Sequence, residues 1–452
     1  MTSPLKILIN AWGARSAPDT ASSPTWSRWL PLLAGHILFL IVVYSLLYAV
    51  GLVHNAPSSA SLIAGDAGWY ESIRRNGYVP NPTGQSNLAF FPLFPYFWRV
   101  LGLGSVGISV LNACLFLVSS TWLAQTFNLR RYQVLLLLSI PSVLFCFAPY
   151  TEAMFFFFGT ILLRGLHRRQ LGYTVLGLLG CCLTRSAASL FVPAFILAEV
   201  LACSSRAEVP RLLLRLGAGL ATIAAALALV MYMHYLATGN PFVFFDTQQY
   251  WSHRLYWPLP RILHSGGGTP MLGLDLLALF IGLFALCVSL ALGIRWLSGW
   301  RRPVAVAMPS RAFTFSLAYC TGILFVILLF YYNGDIANIS RYLLATPFAW
   351  ILIAQLSQWE HLSRSRRWLL AGGAGAIATF VAIWAGWPMR FPGFFPAEAT
   401  FFFACWIAYG ATYLVAFNTT TYSREVRAGL YVINVVYQVF LFDLFLARFY
   451  LG

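Results

Sequence analysis

The stretch LPLLAGHILFLIVVYSLLYAVGLV, residues 30–53, is an apolar run long enough to cross a lipid bilayer as one helix. A transmembrane helix needs about 20 consecutive and largely apolar residues. This run is too long for the apolar core of a cleaved signal peptide, so we expect a retained first span. Residues 1–29 are polar, and we expect them to form a cytoplasmic tail.

Apolar runs of this kind recur to the end of the chain. Of the 452 residues, 60% are hydrophobic and 9% are charged, and the mean hydropathy is +0.74. Soluble domains carry roughly 25% charged residues, so this chain has too little polar surface to cover a water-soluble globule.

The predicted fold class is an all-α polytopic membrane protein with about 11 to 13 transmembrane helices. The candidate spans are 30–53, 106–127, 132–148, 152–166, 171–184, 186–203, 212–237, 272–294, 312–332, 342–358, 368–387, 399–417 and 428–447. The short runs 171–184 and 186–203 fit either two steep helices or one broken helix.

The basic residues predict the orientation, because short cytoplasmic loops collect Lys and Arg. With the N-terminus in the cytoplasm, 20 of the 29 Lys and Arg residues fall on that side. The other nine are Arg74, Arg75, Arg99, Arg185, Arg254, Arg261, Arg341, Arg390 and Arg448. The net charge of +16 therefore reflects topology and attraction to anionic lipid headgroups, and nucleic acid is not an expected partner.

The cysteines and histidines predict neither a disulfide framework nor a metal site. All eight cysteines fall in or beside apolar segments without the spacing of metal ligands, as small core residues do. The seven histidines form no HExxH motif or other ligand pair. No visible motif requires a divalent cation or another cofactor.

Two long loops, 54–105 and 238–271, are predicted on the exoplasmic side, and long ordered loops tend to be functional. The first contains GDAGWYESIRRNGY (65–78) and NLAFFPLFPYFWRVLG (87–102). If 66–77 is helical, one face carries Asp66, Trp69, Tyr70, Ile73 and Gly77, and Glu71 faces Arg74 and Arg75. We expect this helix to lie on the membrane surface, with Asp66 directed into a cavity of the bundle.

The second half of the first loop is rich in aromatic residues and is interrupted by Pro92 and Pro95. Proline breaks the helical hydrogen-bond pattern, so this half is expected to be a re-entrant or interfacial segment and not a regular span. Aromatic surfaces at headgroup depth suit a lipid ligand whose polar head must reach a site.

Three segments resemble, in the same order, the PIG-V type mannosyltransferases, which add the second mannose to glycosylphosphatidylinositol precursors, and their bacterial relatives. They are 66–95, PSVLFCFAPYTEAMFFFFG (141–159) and LTRSAASLFVPAF (183–195). A weaker likeness follows in GNPFVFFDTQQYW (239–251) and SRYLLATPF (340–348).

The chain also departs from that family in its first loop. It has Gly65 where the family usually has tryptophan. The turn after Tyr78 is longer than in the eukaryotic members.

The resemblance implies a GT-C glycosyltransferase fold that takes a sugar from a polyprenyl (dolichyl-type) phosphate at the exoplasmic face, with its catalytic carboxylate in the first large loop. The GT-C module would cover 30–203 and include the catalytic loop 54–105. A variable C-terminal module, 204–452, would contain the loop 238–271. Membrane lipids, the lipid-linked sugar donor and a glycolipid or glycan acceptor are the implied partners. The membrane would be a bacterial inner membrane or, in a eukaryote, the endoplasmic reticulum.

The chemistry of inverting transfer assigns roles to few residues. One carboxylate must accept the proton of the attacking hydroxyl, and our hypothesis is that Asp66 is this general base. Cationic donors must hold the phosphate leaving group, and Arg185 and Arg341 are the candidates. Nine further residues are candidates for the donor and acceptor cavity: Trp69, Tyr70, Phe91, Pro92, Tyr150, Glu152, Asp246, Gln249 and Tyr342.

Each assignment has a plainer alternative. Asp66 after a glycine also fits a helix cap, and Arg185 fits a structural pair with Glu152. Arg341 with Tyr342 also fits an interfacial anchor. Asp246, Gln249 and Trp251 could line the sugar or acceptor site, but they also fit a solvated loop. Two further acids, Asp275 and Asp443, lie inside apolar segments, where no partner can be named from the sequence. A lipid or sugar transporter or flippase is the alternative function, and a membrane scaffold is a third.

Overall fold

A computed structural model of the protein describes residues 29–186, 188–203, 205–255, 265, 267–299, 310–330, 336, 338–356, 405–406, 408–410, 412–413, 416–417 and 423–451. The α-helices are α1 (Leu30–Ala49), α2 (Asp66–Asn76), α3 (Leu93–Leu101), α4 (Ser105–Thr126), α5 (Arg131–Leu138), α6 (Glu152–Arg168), α7 (Leu171–Thr184), α8 (Ala188–Leu201), α9 (Val209–Thr238), α10 (Val243–Gln248), α11 (Gly268–Gly299), α12 (Arg311–Phe330), α13 (Ile339–Leu343), α14 (Pro347–Leu356) and α15 (Ser423–Leu446). Short 3-10 helices cover Asn87–Ala89, Pro141–Phe147, Arg206–Glu208 and Gln249–Trp251. The described ranges contain no β-strand.

Six helices in these ranges are long and apolar enough to cross a membrane, or seven if one bent pair is a single span. They are Leu30–Ala49, Ser105–Thr126, Arg206–Thr238, Pro270–Ile294, Arg311–Phe330 and Arg424–Leu446. The chain is therefore a multi-pass α-helical membrane protein, and its apolar helices contact membrane lipid. Six of the thirteen candidate spans from the sequence match these helices. Of the other seven, 368–387 lies outside the described residues and 399–417 lies partly outside them.

Other predicted spans are short or broken helices. The run 132–148 ends as a helix at Leu138 and continues as the 3-10 helix Pro141–Phe147, which is bent by 101° from α6. The runs 171–184 and 186–203 are two separate helices, α7 and α8. Irregular backbone at membrane depth is tolerated only where protein or a cavity covers it. These breaks therefore mark the inside of the bundle.

Glycines bring α6 and α7 close together as an antiparallel pair. A Cβ added at Gly165 would lie 2.5 Å from the backbone nitrogen of Thr174, and one at Gly177 would lie 2.4 Å from that of Leu162. Small residues allow helix backbones to approach closely where membrane helices pack. Glu152 begins α6, and Arg185 directly follows α7. Because the two helices are antiparallel, these two residues lie next to each other.

The first loop folds as a helical hairpin, α2 against α3. Tyr70 and Ile73 of α2 are buried, and so are Phe94 and Trp98 of α3. The helix expected over 66–77 is thus confirmed as Asp66–Asn76. Pro95 lies in the first turn of α3, where a missing N–H disturbs no helical hydrogen bond. The proline-rich half is therefore a nine-residue helix and not a span.

Polar contacts lock this hairpin. The Asn87 side chain donates to the carbonyl of Gly77 at 3.0 Å and accepts from the backbone N–H of Val79 at 2.9 Å. Arg99 donates to the carbonyls of Ile73 at 3.1 Å and Arg74 at 2.5 Å, at the C-terminal end of α2. These bonds satisfy backbone groups that a helix end leaves open.

The two long loops meet at one end of the bundle, because the Tyr250 hydroxyl donates to the carbonyl of Pro82 at 2.7 Å. Elsewhere, Glu199 lies 2.9 Å from Arg311 and 3.6 Å from Arg215. The sequence assigns these two arginines to the cytoplasmic side and both loops to the other side. The Tyr250–Pro82 contact therefore joins two loops that the charge pattern assigns to the exoplasmic side. The two arginines that bind Glu199 are both assigned to the cytoplasmic side.

The two acids inside apolar segments bind backbone N–H groups. Asp443 accepts from His54 at 3.0 Å and Asn55 at 2.8 Å, which attaches the start of the first loop to α15. Asp275 accepts from the backbone of Ser340 at 3.0 Å, which fixes the start of α13 against α11. Both acids therefore hold the loops and short helices that carry the candidate site.

Candidate functional site

Asp66 is the first residue of α2, and Gly65 occupies the N-cap position before it. The backbone N–H of Asp66 donates to the Tyr150 hydroxyl at 3.0 Å, and that hydroxyl donates to the carbonyl of Ala64 at 3.2 Å. The Asp66 carboxylate lies 2.6 Å from the guanidinium of Arg341. Tyr150 thus holds the start of the helix, and the Asp66 side chain points to the cationic cluster.

Gly65 is required by this arrangement. Its φ is +53°, which L side chains rarely adopt, and a Cβ on it would lie 2.4 Å from the Tyr150 hydroxyl. The residue that departs from the PIG-V pattern is therefore fitted to its neighbour Tyr150.

We expect Gly65→Ala to lower the free energy of unfolding by about 1–3 kcal/mol, because the new side chain adds backbone strain and displaces Tyr150. Gly68→Ala is the matched control: it is the same change three positions later, inside α2, with open space around the added carbon. That control should stabilise the protein by about 0.5–1 kcal/mol. Equal thermal unfolding midpoints for the two variants would contradict the assigned role of Gly65.

A network of four charges forms the centre of the site. Arg341 contacts both Asp66 and Glu152, and Arg185 contacts Glu152 at 2.6 Å. Glu152 is 0% exposed and Arg341 is 1% exposed, whereas the side chain of Asp66 is 18% exposed. Two arginines and two carboxylates balance in number, and Asp66 is the most accessible of the four side chains.

Aromatic rings flank both arginines. The Arg341 guanidinium carbon lies 4.5 Å from the ring centre of Tyr150, and that of Arg185 lies 4.8 Å from the ring centre of Tyr342. Phe145 and Phe155 add further faces at 5.3 and 5.5 Å. Cation–π contacts stabilise desolvated guanidinium groups. The sequence-predicted residues Arg185, Arg341, Tyr150, Glu152 and Tyr342 thus belong to one cluster with Asp66.

The backbone around each charged side chain is fixed. The Asn112 side chain donates to the carbonyls of Ala148 at 2.7 Å and Tyr150 at 3.0 Å, which holds the turn before Glu152. The Tyr319 hydroxyl donates to the carbonyl of Tyr342 at 3.0 Å, beside Arg341. Our sequence reasoning missed Asn112. A polar residue in the apolar run 106–127 was the available signal.

One oxygen of the network has no partner. Among the described residues, Oε2 of Glu152 is buried and accepts no hydrogen bond, while Oε1 binds both arginines. Leaving a buried carboxylate oxygen unbonded is costly. The site therefore offers one open acceptor next to two guanidinium groups.

The electrostatics of α2 differ between its two faces. Burial, reinforced by the charge of Asp66, raises the pKa of Tyr70 above its ordinary value. Burial alone favours the neutral form of Glu71, but hydrogen bonds from Arg74 and Arg75 outweigh it and lower the pKa of this carboxyl. Tyr70 is therefore a neutral wall of the site. Glu71 is paired as predicted, 2.5 Å from each arginine.

The remaining candidates from the sequence form the periphery. Trp69 and Tyr70 contact the ring of Phe90. Phe91 and Pro92 are buried, and Phe91 packs on Phe244 of α10. These residues pack within and against the first loop, and none of them takes part in the ion pairs of the network.

In the second loop, Asp246 and Gln249 are exposed, and Asp246 accepts from Asn240 at 3.1 Å. The residue of that loop that reaches the first is Trp251, whose ring centre lies 5.3 Å from that of Trp69. The sequence names Trp251 beside Asp246 and Gln249 as a residue that could line the sugar or acceptor site, and of these three it is the one that packs on the first loop.

The described part of the chain holds no group of three or more His, Cys, Asp or Glu residues that could bind a metal ion. The side chains that the structure brings together in the network and around it are carboxylates, guanidinium groups and aromatic rings. Such a set can accept a proton at Asp66 and bind a phosphate or carboxylate at the two arginines.

No protein-family model and no curated protein matches this chain.

Proposed function

We propose that the protein is an integral membrane glycosyltransferase of the GT-C type, resembling PIG-V. It moves a mannose from a polyprenyl phosphate to a lipid-linked glycan acceptor at the exoplasmic face, with inversion at the anomeric carbon. One observation carries the proposal: the partly exposed carboxylate of Asp66 lies 2.6 Å from a buried arginine, and a second arginine lies in the same network.

In the proposed reaction, Asp66 accepts a proton, and Arg341 and Arg185 bind the phosphate. The acceptor oxygen attacks the anomeric carbon, and its proton passes to the carboxylate of Asp66. The bond between that carbon and the phosphate oxygen breaks, and both electrons leave with the polyprenyl phosphate. Arg341 and Arg185 hold the developing charge, since a guanidinium fork matches phosphate oxygens. Inversion needs no covalent intermediate on the enzyme.

The ion pairs predict an order of binding. Before the donor binds, Arg341 occupies an oxygen of Asp66. A donor phosphate competes for Arg341 and frees that oxygen for the proton of the acceptor. The open Oε2 of Glu152 supplies an acceptor for a donor hydroxyl beside the same arginines.

The burial of the network favours a lipid substrate. Glu152 begins the apolar helix α6, Arg341 lies in the short helix α13, and both are buried. Trp69, Phe90 and Trp251 lie in the two long loops. A polyprenyl tail in the bilayer can bring its phosphate to this depth. Aromatic residues of this kind are frequent at headgroup level.

The test is transfer of labelled mannose from polyprenyl phosphate to a lipid extract by the purified protein in liposomes. We expect a labelled glycolipid that depends on both the donor and the protein. Movement of lipid or sugar across the liposome membrane without any transfer would instead support the transporter, and it would end this proposal.

A further inference from the structure

Three aromatic residues meet where the two long loops touch. Trp69 of α2 stacks on Phe90 with ring centres 6.1 Å apart and planes 16° apart. Trp251 of the second loop stands edge-on to both, at 5.3 Å from Trp69 and 5.4 Å from Phe90. We call these three residues the aromatic triad. All three are partly exposed, so the triad belongs to the surface of the loops and not to the core.

The triad lies next to the proposed base. Trp69 follows Asp66 by three positions on α2, so both side chains project from one face, one turn apart. Cβ atoms at this spacing are about 5–6 Å apart. A ring of pyranose size, bound on Trp69, therefore brings its hydroxyl groups within reach of the Asp66 carboxylate.

Trp251 carries a hydrogen-bond donor that nothing in the described residues satisfies. Its indole nitrogen is buried and has no acceptor. A buried donor without a partner destabilises a protein, and phenylalanine would fill the same place without that penalty. Buried indole groups usually find a partner. The missing acceptor is therefore expected on a ligand.

The loop that carries Trp251 is attached to the first loop. Tyr250, its neighbour, donates to the carbonyl of Pro82. Ser252, directly after it, has a φ of +59° and ends the 3-10 helix Gln249–Trp251. These contacts thus hold the backbone on both sides of Trp251.

We propose that the aromatic triad binds a hexose ring of the acceptor. The apolar C–H face of a pyranose fits the negatively polarised face of an indole, and a turn of the Trp251 ring on binding presents its N–H, buried in the free protein, to a sugar hydroxyl. A lipid tail has no acceptor for that N–H, which favours a sugar over a prenyl chain. The assignment to the acceptor rests on the proposed function, because only then does the bound hydroxyl meet a base at Asp66.

The experiment measures sugar binding directly, without turnover. Methyl α-D-mannopyranoside and methyl α-D-glucopyranoside are titrated into the full chain in phosphatidylcholine nanodiscs, with saturation-transfer NMR as the readout. We expect at least one of the two to bind to the wild type. Trp251→Phe should raise its Kd by about tenfold, because it removes one donor and keeps the ring. Trp69→Leu, which removes the aromatic face, should weaken binding by about the same factor or more.

The matched control is Trp122→Phe, the same change in a tryptophan of α4 that stacks on Phe157. It should leave the Kd unchanged. Thermal unfolding midpoints establish that each variant is folded. Failure of both sugars to bind to the wild type would overturn the proposal, and so would an unchanged Kd in folded Trp251→Phe. Binding that depends on Trp251 in a protein without transferase activity would retain the triad and reject only the proposed function.

Discussion

Asp66→Asn is expected to lower the rate of mannosyl transfer by about 10²–10⁴-fold, the usual contribution of a general base. The amide has the size of the carboxylate but cannot take up the acceptor proton. Its oxygen still accepts a hydrogen bond from Arg341, so the start of α2 keeps its position. Donor affinity should therefore stay near that of the wild type, and the loss should appear in kcat.

Glu71→Gln provides the control for Asp66→Asn. It also replaces a carboxylate of α2 by its amide, but on the face that pairs with Arg74 and Arg75. These ion pairs are partly exposed, and such pairs contribute about 0.2–1 kcal/mol. Transfer by Glu71→Gln should match the wild type. Near-normal turnover in Asp66→Asn, measured at saturating donor, would remove Asp66 from the role of base.

Local patterns predicted the first loop well. The helix at 66–77, the pairing of Glu71 with Arg74 and Arg75, and the break at the prolines all follow from residues at most four positions apart. Such contacts are set by helix geometry, which spacing in the sequence reveals. The charge pattern predicts both long loops on one side of the membrane; their contact through Tyr250 and Pro82 comes from the structure.

The network itself was not predictable from spacing. Arg341 pairs with Asp66 and Glu152 across most of the chain, and such contacts depend on which helices pack together. The sequence left open whether Arg185 binds a phosphate or Glu152, and the structure has the pair with Glu152. That pair does not decide the role of Arg185 when a donor is present. The partners of Asp275 and Asp443 are likewise groups that no motif marks: Asp275 accepts from Ser265 and Ser340, and Asp443 accepts from His54 and Asn55.

Span number was the hardest quantity to predict. Hydropathy marks an apolar segment, but a short apolar helix inside the bundle and one that crosses the bilayer have similar composition. The helices α7 and α8 have 14 residues each, too few for a crossing without thinning of the bilayer. Prolines and glycines at the breaks, such as Pro141, were the local signal.

Glu152→Gln is expected to lower the free energy of unfolding by about 3–5 kcal/mol, the usual effect of removing one partner from a buried ion pair. Glu152 is a carboxylate that binds both Arg185 and Arg341. Without its charge, two buried guanidinium groups repel each other, and both lose a carboxylate partner. Arg185→Gln should have a smaller effect, because Glu152 then keeps Arg341 as its partner. Thermal unfolding in detergent measures both variants.

Glu199→Gln separates stability from the role of the site. Glu199 is also buried and also lies beside two arginines, Arg215 and Arg311, but none of these residues belongs to the network around Arg341. Its loss should therefore destabilise the protein without changing the affinity for polyprenyl phosphate. Glu152→Gln should change that affinity, because Arg185 and Arg341 lose the carboxylate that positions them. A donor affinity that falls equally in both variants would mean that the network acts only through stability, and the phosphate role of the two arginines would then be wrong.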